Sequence, residues 1–127
     1  MRTVVCFRAG SGDYAVAVEQ VREVRAGDIL MPLPSPRAGI VGLLSVGHNA
    51  LAVVDTLGSE GGQVLLLDRA EGAFGLRVEE VTGVERIGEL GPPPPGQDGE
   101  LIEGVITADD RVTLLVSVDK LGERIDG

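Results

Sequence analysis

The apolar and polar positions along the chain alternate in short runs separated by turn residues, the pattern of a β protein. Tyr14-Ala-Val-Ala-Val18 and Phe74-Gly-Leu-Arg-Val78 alternate larger apolar residues with smaller or polar ones, and glycine-containing turns precede both, as in β-hairpins. Glu19 and Glu79 end that alternation. The apolar pairs that follow, Val21/Val24 and Val81/Val84, stand three apart, a spacing that fits either a short helical turn or a bent strand. Residues 41–44 and 50–54 read as a second hairpin with its tip at 45–49, and a counterpart lies around Asp109-Asp110. Both are mostly apolar and are expected to be buried. Residues 58–62, rich in glycine, form a connector, and residues 91–99, with four consecutive prolines, predict a stiff polyproline-like loop. Near the C-terminus Val118, Leu121 and Ile125 fall at helical spacing and predict one short closing helix.

These elements occur twice. A shift of sixty places lays Thr3-Val4-Val5-Cys6-Phe7 on Gln63-Val64-Leu65-Leu66-Leu67 and Gly12 on Gly72. In the same register Tyr14, Val16, Val18, Glu19, Val21 and Val24 meet Phe74, Leu76, Val78, Glu79, Val81 and Val84, and Pro32 and Pro34 meet Pro92 and Pro94. With two further residues inserted, residues 40–44 lie on 102–106 and residues 50–54 on 112–116. The chain therefore reads as one domain, 1–127, holding a pseudo-repeat of roughly 3–57 and 63–121. Two copies are too few for a solenoid, so paired subdomains sharing a core are expected.

Composition narrows the functional classes. At 127 residues and 43% hydrophobic content a real core is possible, but with two Phe, one Tyr and no Trp it must be built from Val, Leu, Ile and Ala. A net charge of -9 without a Lys/Arg cluster repels phosphate backbones and anionic headgroups, which argues against nucleic acid and against membrane binding. The longest apolar run is far short of the roughly 18 residues a span requires, and the N-terminus lacks a signal-peptide layout. No direct membrane insertion is expected, and the cytoplasm is the expected compartment. The lone Cys6 excludes an internal disulfide and reads as a small buried apolar residue.

Candidate chemistry is sparse, and no catalytic residue, metal ligand or cofactor site is assigned. Gly42-Leu-Leu-Ser45-Val-Gly47 approaches a nucleophile elbow but has two residues between the first glycine and the serine where the elbow has one. His48 and Asp55 complete a nominal Ser/His/Asp set, yet His48 sits at an expected hairpin tip. One His and one Cys offer no metal-ligand cluster, and Asp109-Asp110 reads as a turn. The glycines at 10–12 and 58–62 lack the layouts that cradle phosphates. Glu79 and Glu80, being adjacent on a strand, point to opposite faces and read as surface charge. An enzyme is not expected.

The order of four stretches carries a resemblance. Tyr14-Ala-Val-Ala-Val-Glu19-Gln-Val21-Arg-Glu23-Val24-Arg25, then Gly42-Leu43-Leu44 with Leu51-Ala-Val-Val-Asp55, then Phe74-Gly-Leu-Arg-Val-Glu-Glu-Val-Thr-Gly-Val84, then Leu101-Ile-Glu-Gly104-Val resembles the CheW-like domain over nearly the whole chain. The resemblance implies a mainly all-β fold: two intertwined, five-stranded, SH3-like barrels around a shared hydrophobic core. Short helical segments, one of them C-terminal, complete it. It further implies a non-catalytic scaffold in chemotaxis signal transduction, linking the regulatory domain of a chemotaxis histidine kinase to the cytoplasmic tip of a chemoreceptor. Such a protein would be monomeric or weakly self-associating. Val21, Glu23 and Val24 match a stretch that is part of the family's kinase-facing surface, where an apolar patch with one charge would fix register. Gly42, Leu43, Leu76 and Gly104 would lie at the groove between the barrels, although structural roles alone explain all four. One departure stands out. Where the family reads N-L-R-G, this chain reads Ser45-Val46-Gly47-His48, so the exposed arginine is replaced by Gly47, and Ala52 replaces an expected proline. An alternative follows: a divergent CheW-like module serving pilus motility or another two-component-type pathway.

Overall fold

A computed structural model describes residues 1–26, 30–33, 39–59, 61–95 and 101–126. Among them ten strands follow one another, five from each copy of the repeat. The first copy supplies β1 (Arg2–Ala9), β2 (Gly12–Ala17), a 3-10 turn (Val18–Gln20), β3 (Val21–Ala26), β4 (Ile40–Val46) and β5 (Asn49–Val54). The second supplies β6 (Gln63–Leu67), β7 (Phe74–Val78), β8 (Glu80–Ile87), β9 (Ile102–Ala108) and β10 (Arg111–Val116), and α1 (Val118–Asp126) ends the chain. The strands form two five-stranded sheets, ordered β8-β1-β2-β10-β9 and β3-β6-β7-β5-β4. Exchanging β1 to β5 for β6 to β10 converts one order into the other. Neither copy of the repeat makes a barrel alone: each barrel takes two strands from one copy and three from the other.

The three-residue apolar spacing has a single explanation in both copies. The register between β3 and β6 shifts so that Val21 opposes Leu67, Glu23 opposes Leu66 and Val24 opposes Leu65, which leaves Arg22 as the extra residue of a bulge. Between β8 and β1 the same shift leaves Thr82 unpaired, with Val81 opposite Phe7 and Val84 opposite Val5. A bulge adds one residue to the period of two, so valines three apart share a face without any helix. The bent-strand alternative is the one adopted.

Both expected second hairpins form, turning at Gly47-His48 and at Asp109-Asp110. Gly47 has φ 60°, and the two aspartates have φ 50° and 65°, positive values that two-residue hairpin turns require. The hairpins are less buried than their composition implies. β5 meets β7 only at Val53 and Val54, and β10 meets β2 only at Leu114 and Leu115, so the tip halves lack a neighbouring strand and Val112 stays 54% exposed.

Strand alternation divides the core into three. One face of each sheet contributes to a shared layer that includes Phe7, Val16, Val54, Leu65, Leu67, Phe74, Leu76 and Val116. The opposite face of the first sheet encloses Val4, Cys6, Ala15, Ile87 and Leu115. That of the second encloses Leu44, Val53, Val64 and Leu66. Each sheet curls into an SH3-like barrel whose free ends are joined by a short bridge. Met31 and Leu43 exchange two backbone hydrogen bonds of 2.8 Å, and Gly91 and Val105 exchange bonds of 2.8 and 3.0 Å. Gly91 opens the proline loop; residues 96–99 of that loop, and Pro34, lie outside the described residues.

The C-terminal helix docks by the residues its spacing marks: Val118, Leu121 and Ile125 pack on the shared layer. Ser117 caps it, accepting the Lys120 amide at 3.2 Å. Gly122 lies directly against the Arg69 guanidinium, which stacks 5.8 Å from the Phe74 ring and is only 5% exposed. Glycine within a helix is ordinarily about 1 kcal/mol worse than alanine. Here the sign reverses, because a methyl group would collide with a buried side chain. Gly122→Ala is expected to lower stability by about 1–3 kcal/mol in urea denaturation; a raised midpoint would show that Arg69 moves aside freely. Strand exchange makes a second test. A polypeptide of residues 1–61 alone should show no cooperative unfolding, and mixing it with residues 62–127 should restore it.

Candidate protein-interaction surface

β3 is an edge strand of the second barrel, and its bulge sorts the three residues expected to face a partner. Val21 packs against the shared core. Val24 lies on the same face but at its margin, 40% exposed. Glu23 lies on the other face, and its carboxylate accepts hydrogen bonds from Arg25 Nε at 3.1 Å and Nη2 at 3.4 Å. Arg25 Nη1 also donates to the Ser45 carbonyl on β4, at a long 3.5 Å. An exposed pair of this kind is worth below about 1 kcal/mol, so Glu23 is oriented by its neighbour rather than locked. Of the three, Val24 presents the most apolar surface. Arg22, the bulged residue, is fixed by Asp68 through two contacts of 2.6 and 3.3 Å, a bidentate pair that sequence reading did not anticipate.

The four residues expected at the groove between the barrels do not converge. Leu76 is 0% exposed within the shared core, so no partner reaches it; its reading as a groove residue is replaced by a packing role. Gly42 and Gly104 are buried at the two barrel closures. A Cβ at Gly42 would stand 3.0 Å from both Leu30 Cβ and the Met31 carbonyl, and one at Gly104 would stand 2.8 Å from the Gly91 carbonyl and 3.1 Å from Leu90 Cβ. Close approach of the returning backbone, and not ligand contact, explains both glycines. Leu43 is half-buried, belongs to none of the three core clusters, and is backbone-paired with the exposed Met31.

The nominal Ser/His/Asp set does not assemble either. Ser45 and the exposed His48 lie near the hairpin tip, while Asp55 follows the far end of β5, about 20 Å away at the rise of an extended strand. Among the described residues no group of three or more His, Cys, Asp or Glu is placed to hold a metal ion. No helix among them is long and apolar enough to cross a membrane.

Four bulged edge strands, two glycine-closed barrels and one docked helix are arranged over almost the full length of the chain. The family model for the CheW-like domain matches residues 3–126. The chain belongs to the CheW-like domain family. Fifteen chains among solved structures match the fold. One is the scaffolding protein TtCheW from Thermoanaerobacter tengcongensis, with a TM-score of 0.82 at 22% identity, covering 92% of this chain and 84% of that one. At this identity the likeness shows the shared fold of two SH3-like β subdomains. No curated relative matches the sequence.

This CheW-like domain also carries a buried thiol. Cys6 lines the interior of the first barrel and donates to Glu85 Oε2 at 3.2 Å. Burial, reinforced by the hydrogen bond and negative charge of Glu85, pushes the thiol up to about 12. The folded state therefore holds its proton where the unfolded chain releases it. The stability this contributes is complete below the ordinary thiol pKa of 9.0 and is lost as pH rises towards about 12. A thiol reagent at pH 8 should label native Cys6 at least about tenfold more slowly than the unfolded chain. Cys6→Ala should flatten the loss of stability above pH 9 in urea titrations; labelling at the free-thiol rate would contradict the burial.

Proposed function

We propose that this CheW-like domain is a non-catalytic scaffold of chemosensory signal transduction, coupling chemoreceptors to a CheA-type histidine kinase in the cytoplasm. The observation that carries this reading is the extent of the family match, residues 3–126. The kinase partner would be its regulatory domain, met by the β3 edge, where Val24 supplies apolar area and the Glu23–Arg25 pair supplies a polar rim. The receptor partner would be the cytoplasmic tip, received between the barrels beside Leu43 and Met31. Both surfaces are small and partly polar, as befits contacts that form and dissolve in an array.

One observation favours a second reading, a divergent module of pilus motility or another two-component-type pathway. The tip of the β4–β5 hairpin lacks the family's arginine, and Gly47 holds φ 60°, a backbone that an arginine side chain would strain. The charged contact expected there is built into the turn as an absence.

The discriminating measurement is titration calorimetry against the regulatory domain of each histidine kinase from the same source. Val24→Glu is expected to weaken binding at least tenfold, about 1.4 kcal/mol, while leaving the thermal midpoint within a few degrees because the site is on the surface. Glu23→Lys, which also breaks the pair with Arg25, should weaken binding alongside it. If the unmodified protein binds no resident chemotaxis kinase, coupling is abandoned and the divergent module takes its place.

A further inference from the structure

The mouths of the two barrels occupy the same place in the fold and are built in matching registers, yet they are filled differently. In the second barrel Arg25 stands opposite Val64 and Glu23 opposite Leu66. In the first, Glu85 stands opposite Val4 and Gly83 opposite Cys6. Across the mouth, Ser45 pairs with Ala50 and Thr107 with Val112. All these positions are related by the shifts of sixty and sixty-two places that superpose the two copies.

The second mouth is plugged from within. The Arg25 guanidinium lies on the Glu23 carboxylate and reaches the Ser45 carbonyl, so that one cation ties edge strand β3 to edge strand β4. In the first barrel both side chains of that plug are missing. Gly83 brings no carboxylate, Glu85 places an anion at the register position that Arg25 holds, Cys6 replaces Leu66 and Thr113 replaces Leu51. What remains is a cleft of about 330 Å³ between β8 and β9, lined by Cys6, Tyr14, Glu85, Thr113 and the Asp13–Arg111 pair, whose charged atoms are 3.6 Å apart. Asp109 adds a third carboxylate to the lining, so three anions face a single cation that is already paired. The Glu85 carboxylate accepts only the weakly donating Cys6 thiol, which stays protonated and does not neutralise it.

We infer that the mouth of the first barrel receives one arginine side chain from a protein partner. The molecule carries its own precedent, because a guanidinium already fills the equivalent site in the other barrel. A guanidinium is planar and offers five donors in a fixed fork, which suits a cleft lined by several carboxylates, Glu85 on β8 with Asp13 and Asp109 across from it. An ammonium, as a compact point charge, offers no such fork. The volume lies at the small end of ligand pockets, about 300 Å³, which suits one inserted side chain better than a cofactor. Val84, 63% exposed on the rim, supplies apolar surface beside the opening for the partner's backbone. This contact lies outside the β3 edge and does not depend on the coupling role, and the probe below contains no signalling protein, so the two fail independently.

The test is a titration of the isotopically labelled full chain, followed by amide chemical shifts, with acetyl-Gly-Arg-Gly-amide, its lysine and citrulline counterparts, and agmatine. Saturable shifts of Gly83, Glu85 and Ile106 are expected with the arginine peptide, at least fivefold weaker with lysine, and none with citrulline. Glu85→Arg should plug the mouth as Arg25 does and abolish the response; Glu85→Gln, which keeps size and shape, should weaken it at least tenfold even if the arginine variant folds poorly. No saturable shift, an unchanged response in Glu85→Gln, or shifts elsewhere on the surface would overturn the assignment. Agmatine binding tenfold tighter than the peptide would also overturn it, by showing that the site serves a free guanidinium compound.

Discussion

Strand exchange between the two copies of the repeat is the constraint from which the rest of the structure follows. β1 and β2 find β8, β9 and β10, and β6 and β7 find β3, β4 and β5, so each sheet is complete only when both halves of the chain are present. The pairings that join the copies are of two kinds: long antiparallel ones at β1–β8 and β3–β6, and two-residue parallel ones at β2–β10 and β5–β7. The parallel joints are short, and they are possible because small residues sit at them. Gly75 on β7 leaves room for methyl groups of Val64 and Val53, to which a Cβ there would approach within 2.8 and 3.0 Å, and Ala15 holds the matching place on β2. With so few aromatic residues, the shared layer depends on this interlock to bring aliphatic side chains from both copies into one core.

Pseudo-symmetry separates what the fold requires from what it leaves free. Both copies keep the bulge after the second strand, the closing bridge and the small residue beneath it, at Gly42 and at Gly104, since without them the barrels do not close. The mouths are under no such requirement. One is spanned by the chain's own arginine and the other is an acidic cleft. Surface features of a duplicated fold diverge first because strand pairing does not depend on them.

The three residues expected to face a partner fall on one edge strand, but their sequence leaves the orientation of each one open. A V-x-E-V stretch reads alike whether it is flat or bulged, and only the bulge at Arg22 turns Val21 inward, leaves Val24 at the margin and sends Glu23 to the opposite face beside Arg25. Leu76 looked like a groove residue from its place in a family motif, yet it is part of the central packing. The Arg22–Asp68 pair joins residues forty-six apart, and the Cys6–Glu85 contact joins residues seventy-nine apart. No local pattern announces either.

The sequence by itself determined the elements and their repetition: alternation marked the strands, glycines and the aspartate pair marked the turns, helical spacing marked α1, and the shift of sixty marked two matching units. These are properties of neighbours along the chain, set by backbone sterics and by which side of a strand or helix a side chain takes. Which copy supplies which strand to which barrel, how far the hairpin tips project beyond their partners, and which mouth stands open were decided only by the tertiary structure. Each of these depends on pairings between residues far apart in sequence, and the same apolar alternation is compatible with many such pairings until side-chain volumes and backbone approach distances select one.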